Sequence, residues 1–203
     1  MTDDLTEALV DVRRAYRLLW AYQRRVNDLL HAIDEHLGHH GLRQAGWKPA
    51  SFLNVPNSAF YNPKRWAWDM FPGHSVQAWW TGTTVRGPMR ADVWLYTDDG
   101  FQVSRGEPDP ATWDVSPERA RSKLWLYIAT GPGAPDWDGL HALTKSTNFG
   151  ETGTFSLPSG DYQVLCLLAG LEELRDPDAL HGRLLARVDR WCAEVGALRR
   201  SGP

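Results

Sequence analysis

Residues 123–130 read "KLWLYIAT" and residues 92–97 read "DVWLYT". In an extended strand, successive side chains point to opposite faces. Leu124, Leu126 and Ile128 therefore oppose Trp125 and Tyr127, while Val93 and Leu95 oppose Trp94 and Tyr96. Two strands with the same division predict a sheet that is aliphatic on one face and aromatic on the other. The aliphatic face is a seat for helices, and the two ends of the chain supply candidates.

Further strands follow from the same period of two. "SVQAWWTG" (75–82), "MRADVWLYT" (89–97) and 101–105 of "GFQVSR" are separated by the turn signals "RGP" and "DDG", which predicts an antiparallel meander. "DYQVLCLLAG" (161–170) is nearly all apolar, as expected of a central strand. Two long connections, 106–121 and 131–160, carry prolines and glycines.

The N-terminal helix is written in a heptad rhythm. Leu5, Leu9, Val12, Tyr16, Leu19, Gln23, Val26, Leu30, Ile33 and Leu37 alternate in steps of four and three, a seam broken only by Gln23. Asp4 followed by Glu7 predicts the start, and Gly38 the stop. About 33 residues at 1.5 Å each give a rod of roughly 50 Å, too long to be covered by a second helix of about 22 residues. That second helix is predicted at 176–198, with Asp176 as N-cap, Pro177 at the first position, and Leu180, Leu184, Val188, Trp191, Val195 and Leu198 in one stripe.

Residues 42–73 break both periods. Pro49, Pro56, Pro63 and Pro72 alternate with Trp47, Phe52, Phe60, Tyr61, Trp66 and Trp68, predicting an irregular aromatic cover. The stretch "RWAWDMFPGHSVQAWW" (65–80) thus divides at Pro72–Gly73 into the end of that cover and the first predicted strand. Within the strand Trp79 and Trp80 must face opposite sides of the sheet.

The whole is expected to be one α+β domain over 1–203. It comprises a helix (1–41), the cover (42–73), an antiparallel sheet of about five strands with long loops (74–170), and a C-terminal helix (176–198) packed with the first. The net charge of −3 gives no pull toward nucleic acid or an anionic membrane. The acidic start "MTDDLTEALV" lacks the basic and apolar regions of a signal peptide, and no apolar run reaches membrane-spanning length, so the expected setting is the cytoplasm. Cys166 and Cys192 are too few and too far apart for a disulfide framework or metal knuckle.

Catalytic patterns are fragmentary. His31, His36, His39 and His40 cluster near the helix end, but Gly38 is expected to break the helix that would align them as metal ligands. Glycine-rich loops lack the strand–loop–helix context of a phosphate site, so neither metal nor cofactor is expected. Two function classes remain. The first is a non-catalytic accessory or regulatory subunit that binds another protein, or a second copy of itself. Leu9, Tyr16, Leu30 and Leu37 would be its seam contacts and Trp66, Trp68, Trp79 and Trp94 its aromatic platform. The alternative is a divergent metal-dependent hydrolase or nuclease centred on Asp69, His74 and Asp92. The first reading leads because those acidic residues show no convergent spacing, which points away from an enzyme.

Overall fold

The computed structural model describes residues 2–49, 75–84, 87–100, 113–131, 153–156 and 162–200. The chain divides into two compact units, Met1–His36 and Leu37–Pro203. Helix α1 spans Thr2–His39, 38 residues, and so begins before the expected Asp4 start. In the first unit Val26, Leu29 and Ile33 are buried. The expected seam contact Leu30 is half-buried, and its neighbour Leu29 is the buried residue. An α-helix has 3.6 residues per turn, not 3.5, so a straight helix rotates slowly away from a strict heptad seam.

The glycine of the helix stop falls three residues later than the sequence suggests. Gly38 remains helical, and Gly41 takes the left-handed conformation at φ 81°. Leu42 N donates to Leu37 O (3.1 Å) and Gly41 N donates to Gly38 O (3.0 Å), which is the paired arrangement of a Schellman stop. Leu37 and Leu42, the two residues such a stop brings together, are both buried. The close approach needs a second glycine: a Cβ on Gly82 would collide with the Gly41 carbonyl oxygen.

Among the described residues, the sheet of the second unit has six strands. In chain order these are β1 (Arg43–Pro49), β2 (Ser75–Thr84), β3 (Gly87–Tyr96), β4 (Lys123–Thr130), β5 (Gly153–Ser156) and β6 (Gln163–Gly170). Their spatial order is β1-β2-β3-β4-β6-β5, and every pairing is antiparallel. The expected strand at 101–105 lies outside the described residues, as does 50–73 of the expected cover. The start of that cover is corrected: residues 43–49 form the edge strand β1, with a register shift between Gln44 and Gly46. Gly46 permits this pairing because a Cβ there would enter the Trp79 indole.

Register fixes the two faces. On one, Val76, Ala78 and Trp80 of β2 lie beside Leu95, Val93 and Ala91 of β3. Leu124, Leu126 and Ile128 of β4 continue the layer into Ala169, Leu167 and Leu165 of β6. All of these residues are buried, and Trp80 and Leu126 are 0% exposed. Burying a large aliphatic side chain contributes roughly 1.5–3 kcal/mol, so this face is the main core. Trp79, Trp94, Tyr96, Trp125 and Tyr127 line the opposite face.

After β6 a 3-10 turn (Leu171–Glu173) leads to the C-terminal helix. Asp176 caps it as expected, accepting from Ala179 N at 2.8 Å, with Pro177 at its first position. The helix runs as α2 (Pro177–Leu180), one π-helical segment (His181–Leu185) and α3 (Ala186–Arg200). It touches β6 and buries Leu180, Leu184, Leu185, Val188, Trp191, Cys192 and Val195. The π segment widens the turn, so the consecutive Leu184 and Leu185 are both buried. These elements make the protein an α+β fold.

Candidate interaction surfaces

The first candidate surface is the early half of α1. Leu5, Leu9, Val12, Tyr16, Leu18 and Trp20 are 47–71% exposed. Four of them, Leu5, Leu9, Val12 and Tyr16, keep the four-three-four spacing of the seam. The four expected seam contacts therefore separate. Leu9 and Tyr16 are exposed, Leu30 is half-buried, and Leu37 is wholly buried. Leu18 and Trp20 fall off the heptad rhythm, and counting seam positions overlooked both. Trp20 is partly engaged within the helix, where the Arg24 guanidinium carbon lies 5.7 Å from its ring centroid.

The second candidate is the aromatic sheet face. One row across it runs Gly46, Trp79, Asp92, Tyr127 and Cys166, and the next runs Lys48, Gln77, Trp94, Trp125 and Leu168. Trp94 stacks along its strand on Tyr96, with ring centroids 5.9 Å apart and planes at 26°. Trp125 does the same with Tyr127 at 6.0 Å and 5°. Trp79 and Trp94, both expected platform residues, are half-buried. The other two, Trp66 and Trp68, lie outside the described residues. Burial raises the ionisation of Tyr96 and Tyr127 above the usual tyrosine range, with Cys166 and Tyr96 adding to the effect on Tyr127. Burial also pushes the Cys166 thiol up to about 12.

At the centre of this face sits an ion pair. Asp92 is 0% exposed. Its Oδ2 accepts from Arg90 Nε at 2.7 Å and its Oδ1 from Arg90 Nη2 at 3.0 Å. Gln77 Nε2 donates to the same Oδ1 at 3.3 Å. Burial pushes the Asp92 carboxyl above the usual carboxylate range, and the Arg90 and Gln77 hydrogen bonds only partly oppose it. Arg90 appears isolated in the sequence, yet Arg90 and Asp92 stand two apart on one strand and so share a face. That spacing was the overlooked signal.

Of the residues of the hydrolase alternative, only Asp92 lies among the described residues. Asp69 and His74 lie outside the described residues, and Asp92 is enclosed by its ion pair. The "TDDG" turn carries structural roles. Asp98 Oδ1 accepts from Gly100 N at 2.8 Å. Asp99 accepts from Arg121 N at 2.6 Å and pairs with Lys123 Nζ at 2.5 Å, tying the end of β3 to the start of β4.

Beyond the helix stop, His40 Nε2 lies 2.7 Å from Asp189 Oδ1, and His181 Nε2 lies 3.9 Å from Asp189 Oδ2. Two imidazoles, one just past α1 and one in the π-helical segment, thus flank one carboxylate of α3. The expectation that Gly38 breaks the helix is corrected here: the helix continues to His39, and His40 is half-buried beside Asp189. Charge on either ring strengthens this contact as an ion pair.

Among the described residues, no helix is long and apolar enough to cross a membrane. Comparison with curated proteins and with solved structures returned no match for the chain. Residues 2–194 match the model of the PM0109 family, and the chain belongs to that family.

Proposed function

We propose that this protein is a non-catalytic cytoplasmic accessory or regulatory subunit that works by binding another protein chain. The observation that carries this reading is the early half of α1, with Leu5, Leu9, Val12, Tyr16, Leu18 and Trp20 all exposed. A helix of this length is not held by intrinsic propensity, and most helical stability in proteins comes from packing an apolar face. Large apolar side chains exposed together at helical spacing mark a site of interaction. The half-buried Trp79 and Trp94 form a secondary contact area on the sheet, consistent with the enrichment of tryptophan at binding hot spots.

For the hydrolase alternative, Asp92 is the one named residue among those described, and its surroundings do not favour that reading. A Mg²⁺-type centre needs carboxylates open to the ion, whereas Asp92 is buried and held by Arg90 and Gln77. The test compares the full chain with the variant Leu9→Glu/Tyr16→Glu as bait in its native host, with circular dichroism as the control for folding. The expected result is that the variant keeps its helical signal and loses the protein captured by the parent chain. Equal capture by both would remove the helix from the binding role. Loss of capture on substituting Trp79 and Trp94, with the helix variant unaffected, would move the site to the sheet.

A further inference from the structure

The exposed half of α1 also indicates what kind of chain fits it. Building on the proposed binding role of this segment, we propose that its occupant is a second copy of the same chain. The two α1 helices would cross antiparallel over residues 5–16, about a two-fold axis between Val10 and Asp11.

The seam gives the register. In an antiparallel pair, an a position of one helix packs against a d position of the other. With the axis between residues 10 and 11, Leu5 of one copy meets Tyr16 of the other, and Leu9 meets Val12. Two-fold symmetry repeats both layers, so the four exposed seam residues of each copy are all used and no charged side chain enters a layer. On one flank Ala8 of one copy lies beside Ala15 of the other, two small residues that let the backbones approach. On the other flank Thr6 lies beside Arg13.

Charge sets the direction. The first eleven residues contain Asp3, Asp4, Glu7 and Asp11 with no basic residue, and the next seven contain Arg13, Arg14 and Arg17 with no acidic one. Antiparallel overlap lays residues 3–8 of one copy beside 13–18 of the other, acidic against basic. Parallel overlap lays like beside like; most of these charges stand on the outer positions of each helix, so they favour the antiparallel direction through a long-range field that salt weakens. The Asp11–Arg14 pair at 2.9 Å is strongly exposed on both sides; by the seam register it lies on the outer face of α1, so it contributes little and leaves the seam open to the second copy.

The overlap ends where burial begins. Leu19 is half-buried, and of the later seam residues Val26, Ile33 and Leu37 are buried. Only about four helical turns, roughly 20 Å, remain for the second copy. An interface of that size sits at the small end of specific association, so the dimer is expected to be concentration-dependent.

Analytical ultracentrifugation of the full chain over a wide concentration range tests for the dimer, and cysteine cross-linking tests its geometry. Cys166 and Cys192 are buried, so the introduced thiols report without interference. Leu5→Cys and Tyr16→Cys chains, both altered at exposed positions, are oxidised separately and as an equal mixture. Positions 5 and 16 of opposite copies share a layer, whereas identical positions stand about 16 Å apart, beyond disulfide reach. The expected result is a reversible dimer that cross-links only in the mixture. A third chain, Leu9→Glu, should weaken self-association on the order of a thousandfold, because symmetry counts each substitution twice.

Cross-linking of either single variant with itself would refute the antiparallel arrangement. A monomer at every concentration would refute the second copy as occupant. In that case, Leu9- and Tyr16-dependent capture of a different protein would leave the binding role of α1 standing, and absence of such capture would end both.

Discussion

Arg90 and Asp92 allow the sharpest energetic test, because the same pair separates a structural carboxylate from a catalytic one. Asp92→Ala removes an acceptor of two Arg90 hydrogen bonds and one from Gln77. It leaves a guanidinium whose side chain is only 14% exposed and which cannot shed its charge. Breaking a buried pair from one side costs about 3–5 kcal/mol, against a total stability on the order of 5–15 kcal/mol. With a urea m-value of about 2–3 kcal/mol/M, the unfolding midpoint should fall by roughly 1–2 M. Arg90→Met should behave differently. It strands a carboxylate whose proton affinity is already raised by burial, so its cost should shrink as pH falls and Asp92 takes up a proton. Replacing both residues, Arg90→Met/Asp92→Leu, removes the stranded charge and should recover most of the loss, since apolar replacement of a buried pair is often neutral or stabilising. The assay is urea unfolding followed by tryptophan fluorescence at pH 5 and pH 7 for the parent, both single variants and the double. A cost below about 1 kcal/mol for Asp92→Ala, or a double variant as unstable as the two singles summed, would refute the structural role.

Three other outcomes follow from the geometry. Gly41→Ala should destabilise by about 1 kcal/mol or more, because φ is 81° at the helix stop and a Cβ there is strained; Gly38→Ala, inside the helix with nothing within 4 Å of a Cβ, should be neutral or stabilising in the same thermal melt. Neither cysteine should react with a thiol reagent at pH 8 until the protein unfolds, since both are buried and burial pushes Cys166 up to about 12; rapid labelling of the native chain would contradict that packing. The pH dependence should show two opposed carboxylates. Partial burial works against the Asp99 charge, but the Lys123 and Arg121 hydrogen bonds outweigh it and hold the group below the usual range, so its contribution is present above the unfolded carboxylate pKa and lost as pH falls through its lower folded value. Asp92 is raised, so its contribution declines as pH rises from the unfolded value through the folded one. Urea midpoints from pH 3 to 7 should lose the first slope in Asp99→Asn and the second in Arg90→Met/Asp92→Leu.

The two-faced sheet was legible because period two is enforced wherever one face is buried. Leu124, Leu126 and Ile128 had to share a side, and the register confirms it residue by residue. Edge strand β1 was not legible, since "RQAGWKP" carries no alternation. What makes it a strand is Gly46 yielding space to Trp79, a partner far away in the chain. The helix stop was misplaced because Gly38 and Gly41 look alike in sequence, and only the paired hydrogen bonds of the stop choose between them. Heptad spacing located the apolar stripe of α1, but spacing carries no record of which turns are covered. That is why Leu9 and Leu37, equivalent in the pattern, are opposite in exposure. Among the site residues, Arg90–Asp92 was readable from its spacing of two, while His40–Asp189 depends on tertiary contact between distant segments.

Amide hydrogen exchange along α1 tests most directly whether its early half is a binding surface awaiting a partner. In dilute solution residues 5–18 should exchange quickly, as expected of a helix segment without tertiary cover, while residues 26–39 stay protected. Raising the protein concentration, or adding the captured partner, should slow exchange over residues 5–18 and leave the later turns unchanged. Equal, concentration-independent protection of both halves in dilute solution would contradict the proposal, because the early seam would then already be satisfied within the chain.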